Sequence, residues 1–109
     1  MPILGTTNSI LKSGLTIINP ASIVFGHKTV AGTGTAEALV AVSTPLKVGV
    51  TIKALSTNTN PVWVGLSTTS VATGFELKAS EQIFIPITDA QLIYLDVTTN
   101  GEGVSYIGN

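Results

Sequence analysis

An all-β domain, a single β-sandwich or jelly roll of about seven or eight short antiparallel strands, is what this sequence predicts. Three observations predict it. Thr, Val and Ile dominate the chain, and these side chains suit a pleated, half-buried surface. Gly, Asn, Pro and Ser recur at short intervals, as turns between short strands do. Apolar and polar residues alternate with period two in several segments, which gives a strand one buried and one wetter face. A small barrel is the alternative closure of the same strands.

Residues 1–20 differ from the rest. Gly5, Asn8, Ser13 and Gly14 separate isolated apolar pairs, and Asn19-Pro20 closes the segment. They read either as an arm that gains structure against a partner or as a first strand of the same sandwich, with the sandwich domain occupying 21–109. Residues 23–30 read as a strand. In 35–42, Ala36, Ala38, Val40 and Val42 alternate; Ala and Glu also suit a helix, but Gly32, Gly34 and the neighbouring strands favour a strand. Residues 46–55 carry the clearest pattern. Val48, Val50, Ile52 and Ala54 face one way, and Lys47, Gly49, Thr51 and Lys53 the other.

The run Thr57-Asn58-Thr59-Asn60-Pro61 breaks the chain, because Asn and Pro favour turns and Pro holds the preceding residue extended. A strand resumes over 62–66, with Val62, Val64 and Leu66 on one face and Trp63 on the other. Residues 67–74 form a loop. In 82–87, Ile83, Ile85 and Ile87 share a side, and Pro86, which has no N–H for a ladder bond, places this strand at an edge or a bulge. Two last strands, 91–97 and 104–107, bracket Asn100-Gly101, the dipeptide that most favours a tight hairpin turn, so the end of the chain is expected to close as a hairpin.

Composition narrows the function. Of the 109 residues 44% are hydrophobic and only 10% charged, against roughly 25% charged in an ordinary soluble domain. Thr, Ser, Asn and Gly cover the surface instead, which suits burial against other subunits. The five positive charges are scattered lysines, Lys12, Lys28, Lys47, Lys53 and Lys78, and the net charge is −1. Nucleic-acid binding needs clustered cations and is not expected. No apolar run approaches the roughly 20 residues of a membrane span, and the first residues lack the basic start of a signal peptide. Without cysteine there is no disulfide and no thiolate metal site.

The search for chemistry returns no catalytic set, no cofactor motif and no metal-ligand spacing. His27 is the only histidine and no Gly-x-Ser-x-Gly accompanies it, so it reads as a structural or surface residue. Glu37, Glu76, Glu81, Asp89, Asp96 and Glu102 supply nearly all the solubilising charge and read as solvated surface acids. Calcium loops or paired catalytic carboxylates would need spacings that are absent. Gly32-Thr33-Gly34 lacks the Lys and helix of a phosphate loop and reads as a turn. Trp63 reads as core or as a residue under a neighbouring subunit; exposed, it would suit a sugar-stacking platform.

Thr51-Ile52-Lys53-Ala54-Leu55, then Asn58, then Val62-Trp63-Val64-Gly65, resembles a recurrent pattern in small tailed-bacteriophage structural proteins. The resemblance continues through Thr73-Gly74-Phe75-Glu76-Leu77, Ile93-Tyr94-Leu95-Asp96 and Gly101-Glu102-Gly103-Val104-Ser105-Tyr106-Ile107. It spans approximately the last three-quarters of the chain. One departure is the turn before the penultimate strands, where such proteins often carry Gly-Glu and this chain reads Ala79-Ser80-Glu81. The resemblance implies a non-enzymatic β-sandwich on the virion. Its expected role is that of a capsid decoration (cement) protein that binds the major capsid protein and stabilises the head shell. A tail or head-fibre component, including a carbohydrate-binding module, is the alternative. A homo-oligomer is expected, with a trimer suggested by the local threefold positions of capsid lattices. Ile3, Leu4, Ile10, Leu11 and Trp63 are the candidate partner-interface residues.

Overall fold

The computed structural model describes residues 23–109. Among these, eight short strands form: β1 (Val24–Thr29), β2 (Glu37–Ala38), β3 (Val50–Ala54), β4 (Val62–Gly65), β5 (Phe75–Leu77), β6 (Gln82–Ile85), β7 (Tyr94–Val97) and β8 (Gly103–Gly108). A single 3-10 turn, Ala90–Leu92, precedes β7; Asp89 caps it by accepting a hydrogen bond from the Gln91 N–H. The strands make two four-stranded antiparallel sheets. The front sheet runs β1-β8-β3-β6 and the back sheet β2-β7-β4-β5.

This order is the jelly-roll wiring. Strands pair 1 with 8, 2 with 7, 3 with 6 and 4 with 5, as if one long hairpin had been rolled until its two halves also met through β3·β8 and β4·β7. Period-two side chains then fill the space between the sheets. Val50, Ile52 and Ala54 meet Val62, Val64, Leu77, Leu95, Val97 and Val104, and nearly all are fully buried. Branched residues dominate this core because they pack well on a pleated surface. Burying one such side chain contributes about 1.5–3 kcal/mol.

Several sequence expectations need correction. Asn100-Gly101 makes a turn, and Gly101 adopts φ 91°. However, β7 belongs to the back sheet and β8 to the front, so the turn carries the chain between sheets and closes no hairpin. The strand expected over 46–55 starts only at Val50. Gly49 adopts φ 149°, and a β-carbon there would lie 2.7 Å from the Phe84 ring and 2.8 Å from Pro86 Cα. The backbone changes direction at this glycine, which sends Val48 to the surface, 42% exposed. The 62–66 strand ends at Gly65. The Thr69 N–H and hydroxyl both turn back to the Leu66 carbonyl, leaving the Leu66 side chain exposed. In 35–42 only Glu37 and Ala38 pair, and Leu39 rather than its alternating neighbours enters the core. The larger side chain takes the interior place.

Pro86 does follow an edge strand, β6. The Ala79-Ser80-Glu81 turn is held by the Glu81 N–H on the Lys78 carbonyl (2.9 Å) and the Lys78 N–H on Glu81 Oε1 (2.8 Å). Ser80 takes φ 71° there. The left-handed conformation costs an L-residue roughly 1–2 kcal/mol, and glycine's extra unfolded-chain entropy offsets about half of that. Ser80→Gly is therefore expected to stabilise by up to about 1 kcal/mol and to raise Tm by about 4–8 °C in thermal unfolding. An unchanged or lowered Tm would show that the turn carries no strain.

Candidate docking face

The strands of the front sheet bring together residues that lie far apart in the chain. Phe25 on β1 is in register with Ile107 on β8, Ile107 with Thr51 on β3, and Thr51 with Phe84 on β6. All four point away from the core, because Val24, Ile52, Ile83 and Tyr106, which alternate with them, pack against it. The result is an uncharged row across all four strands of the outer face, apolar on β1, β8 and β6 and a threonine on β3. Phe25 is 71% exposed, Ile107 52% and Phe84 50%. Ile23 and Val48 extend the row, and a hollow of about 320 Å³ lies among Ile23, Val48, Thr51, Phe84 and Ile107. Together these side chains expose on the order of 500 Å² of apolar surface, toward the upper end of the roughly 300–600 Å² of the largest patch on a typical monomer.

Two residues further along each strand the face becomes polar. His27, Ser105, Lys53 and Gln82 form the next row in register, beside a second hollow of about 340 Å³. The outer face is thus divided along the strand direction, apolar at one end and hydrogen-bonding at the other.

This second row places a histidine beside a serine without completing a catalytic set. Glu37 borders a hollow with His27, but its carboxylate is committed elsewhere. It pairs with Lys28 Nζ at 2.9 Å and accepts the Ala31 and Gly32 N–H groups at 3.0 Å. The Lys28 hydrogen bond, then the Gly32 N–H, the Lys28 charge and the Ala31 N–H hold the Glu37 carboxyl below its ordinary value, while partial burial opposes them. No hydrogen bond joins His27 to Ser105 or to a carboxylate among the described residues.

Asp89, Asp96 and Glu102 also act as ties within the fold, which corrects the expectation of solvated surface charges for these residues. Only Glu76 and Glu81 are exposed. Asp89 accepts the Ser43 hydroxyl and the N–H groups of Thr44 (2.8 Å) and Gln91 (2.9 Å), and these lower its pKa in that order, against the effect of burial. Glu102 is only 8% exposed. It accepts the hydroxyl and N–H of Thr59 and the N–H of Asn60. The Thr59 hydroxyl is the strongest influence lowering its pKa; burial pulls the other way, and the two N–H groups add to the lowering. Beside it, the buried Asn58 side chain donates to the Gly103 carbonyl (2.8 Å) and accepts the Gly103 N–H (3.2 Å). The 57–61 loop is therefore fastened to the start of β8. Asp96 is buried and accepts the Val97 N–H. No group of three or more His, Asp or Glu side chains able to hold a metal ion occurs among the described residues.

Of the interface residues expected from sequence, Ile3, Leu4, Ile10 and Leu11 lie outside the described residues. Trp63 does not join the core. It points from the outer face of the back sheet, half-buried, in register between Glu76 and Asp96. The apolar row on the front sheet was missed at the sequence level, because its members stand in four separate strands. Its one local signal was the Phe inside the alternating Ile83-Phe84-Ile85 run, on the side opposite the partly buried isoleucines. Comparison of the chain with models of protein families, with curated proteins and with solved structures finds no match.

Proposed function

We propose that this protein is a non-catalytic subunit of a larger assembly, a bacteriophage capsid decoration (cement) protein that docks the outer face of its front sheet on the head shell. The observation that carries the reading is the uncharged row Phe25–Ile107–Thr51–Phe84. Leaving it in water forgoes the roughly 25 cal/mol per Å² that burial would return. Repeated contacts over a shell multiply that gain, and expansion or bursting must then break each of them. The charge-poor composition and the resemblance to small tailed-phage structural proteins support the same reading. The polar row beside it supplies hydrogen-bonding groups that fix orientation, as the rim of a protein interface does.

The alternative, a tail or head-fibre component that binds carbohydrate, draws on the outward, half-buried Trp63 beside the exposed carboxylate of Glu76, a pair that suits stacking and hydroxyl recognition. One experiment separates the two. Purified protein is sedimented with shells assembled from the major capsid protein of the same phage. Phe84→Lys with Ile107→Lys is expected to reduce co-sedimentation more than tenfold, since each lysine removes about 100 Å² of apolar contact. Circular dichroism should stay native, because both side chains face solvent. Equal pelleting of the double variant would remove the front sheet from the docking role. Failure of the native protein to pellet, with glycan binding that Trp63→Ala abolishes, would establish the fibre reading instead.

A further inference from the structure

The four sheet edges are not equivalent. A sheet edge exposes unpaired N–H and C=O groups and invites another strand unless it is short, interrupted or charged. Three edges are blunted in that way. Strand β2 has 2 residues, β5 has 3, and β6 has 4 and runs into Pro86. Among the described residues strand β1 is the exception, with 6 residues, no proline, a regular ladder to β8 on one side and no strand on the other.

The direction of its backbone groups follows from the ladder. The Val30 N–H donates to the Glu102 carbonyl at 2.9 Å, and the Leu55 N–H takes the Gly103 carbonyl on the β3 side at 3.0 Å. Donors alternate along an antiparallel strand. Val24, Gly26 and Lys28 therefore bond to β8, while the N–H and C=O groups of Phe25, His27 and Thr29 point out of the sheet. The one cation of the strand, Lys28, does not guard this edge, because Glu37 holds its ammonium at 2.9 Å.

We infer that β1 pairs antiparallel with β1 of a second copy of this chain, joining two front sheets into one eight-stranded sheet about a two-fold axis. An antiparallel edge is self-complementary under such an axis, since each strand offers the other the same donors and acceptors. Charge favours the same occupant. The side chains on the outer face of β1, Phe25, His27 and Thr29, include no fixed charge, and Lys28 on the other face is paired with Glu37, so the two-fold brings no unpaired like charges together. With His27 opposite His27 of the second copy, Phe25 of each copy lies opposite Thr29 of the other, so the pairing puts both apolar rows on one face, offset along the strand direction. The doubled row's use on a shell rests on the docking reading above; the pairing itself does not.

Sedimentation velocity and amide exchange of the full chain test this pairing. A monomer–dimer equilibrium is expected. The amides of Phe25, His27 and Thr29 should exchange more slowly as concentration rises, while those of Val24, Gly26 and Lys28 are protected throughout. His27→Pro removes an N–H that β8 does not use and should weaken dimerisation at least tenfold. Phe25→Lys, at a 71% exposed position, provides a second variant with the same expected direction if the proline variant does not fold. A protein monomeric at every concentration overturns the proposal, as does a trimer. So does concentration-independent protection of Phe25, His27 and Thr29, which would give the edge to residues of the same chain. A dimer undiminished in the folded variants also overturns it. The docking reading is judged separately, by the Phe84→Lys with Ile107→Lys variant, which leaves the β1 edge untouched and should still dimerise while losing its hold on shells.

Discussion

Gly103→Ala is expected to destabilise the protein by about 3 kcal/mol or more and to lower Tm by well over about 10 °C. Gly103 opens β8 where that strand is squeezed between β1 and β3. A β-carbon there would overlap the Lys28 carbonyl oxygen and lie 2.7 Å from Thr29 Cα. Both neighbours are backbone, so no rotamer change relieves the clash; β1 must move away from β8. Movement at that point also strains the Asn58 clasp, which uses both backbone groups of Gly103. Chemical denaturation of Gly103→Ala beside Gly101→Ala is the informative pair. The second site has open space around its α-carbon, so only the conformational cost of its positive φ should appear. Equal losses at the two sites would refute the close-approach argument.

Replacing Glu102 by Gln is expected to have the next largest effect, about 2 kcal/mol at neutral pH. The carboxylate accepts three donors from Thr59 and Asn60, and hydrogen bonds to a charged group are worth more than neutral ones. Its position near the surface, where water screens it, keeps the figure modest. The pH dependence has a definite sign. Glu102, Glu37 and Asp89 all titrate below their ordinary values in the folded chain. Such groups bind protons more readily when unfolded. Their stabilisation is complete above the unfolded glutamate value of about 4.5 and disappears as pH falls through the folded values. Denaturation midpoints measured between neutral pH and pH 3 should fall steeply in the native protein and less steeply in Glu102→Gln. Parallel curves would mean that the Thr59 and Asn60 contacts do not bias ionisation.

The readable part of the fold was the part governed by local rules. Alternation in Val50, Ile52 and Ala54 placed the inner face of β3 correctly, and Pro86 marked an edge. Most of what failed was non-local. Asn100-Gly101 specifies a tight turn, but a turn does not state whether the strands on either side will pair with each other or with strands from elsewhere. Leu66 and Val48 fit their alternating patterns, yet a turn held by Thr69 on the Leu66 carbonyl ended the first, and the backbone angle of Gly49, packed against Phe84 and Pro86, ended the second. The docking row needed the register of four strands before Phe25, Thr51, Phe84 and Ile107 could be seen as neighbours. Asp96 and Glu102 looked like ordinary solvated acids, because nothing near them in sequence announces burial.

The position of β8 in the middle of the front sheet constrains how the molecule is made. As the chain leaves the ribosome, β1 and β3 appear early, but each needs β8 as its neighbour, and β8 emerges after all the others. Contacts this distant in sequence form slowly, because closing a long loop costs entropy before any pairing offsets it. Until residues 103–108 emerge, Phe25 stands on a strand without its neighbour and Val50 on one that has only β6 beside it, exposed to other nascent chains. Efficient expression should therefore depend on rapid translation through β8, and stalling within residues 103–108 should trap a species prone to aggregation.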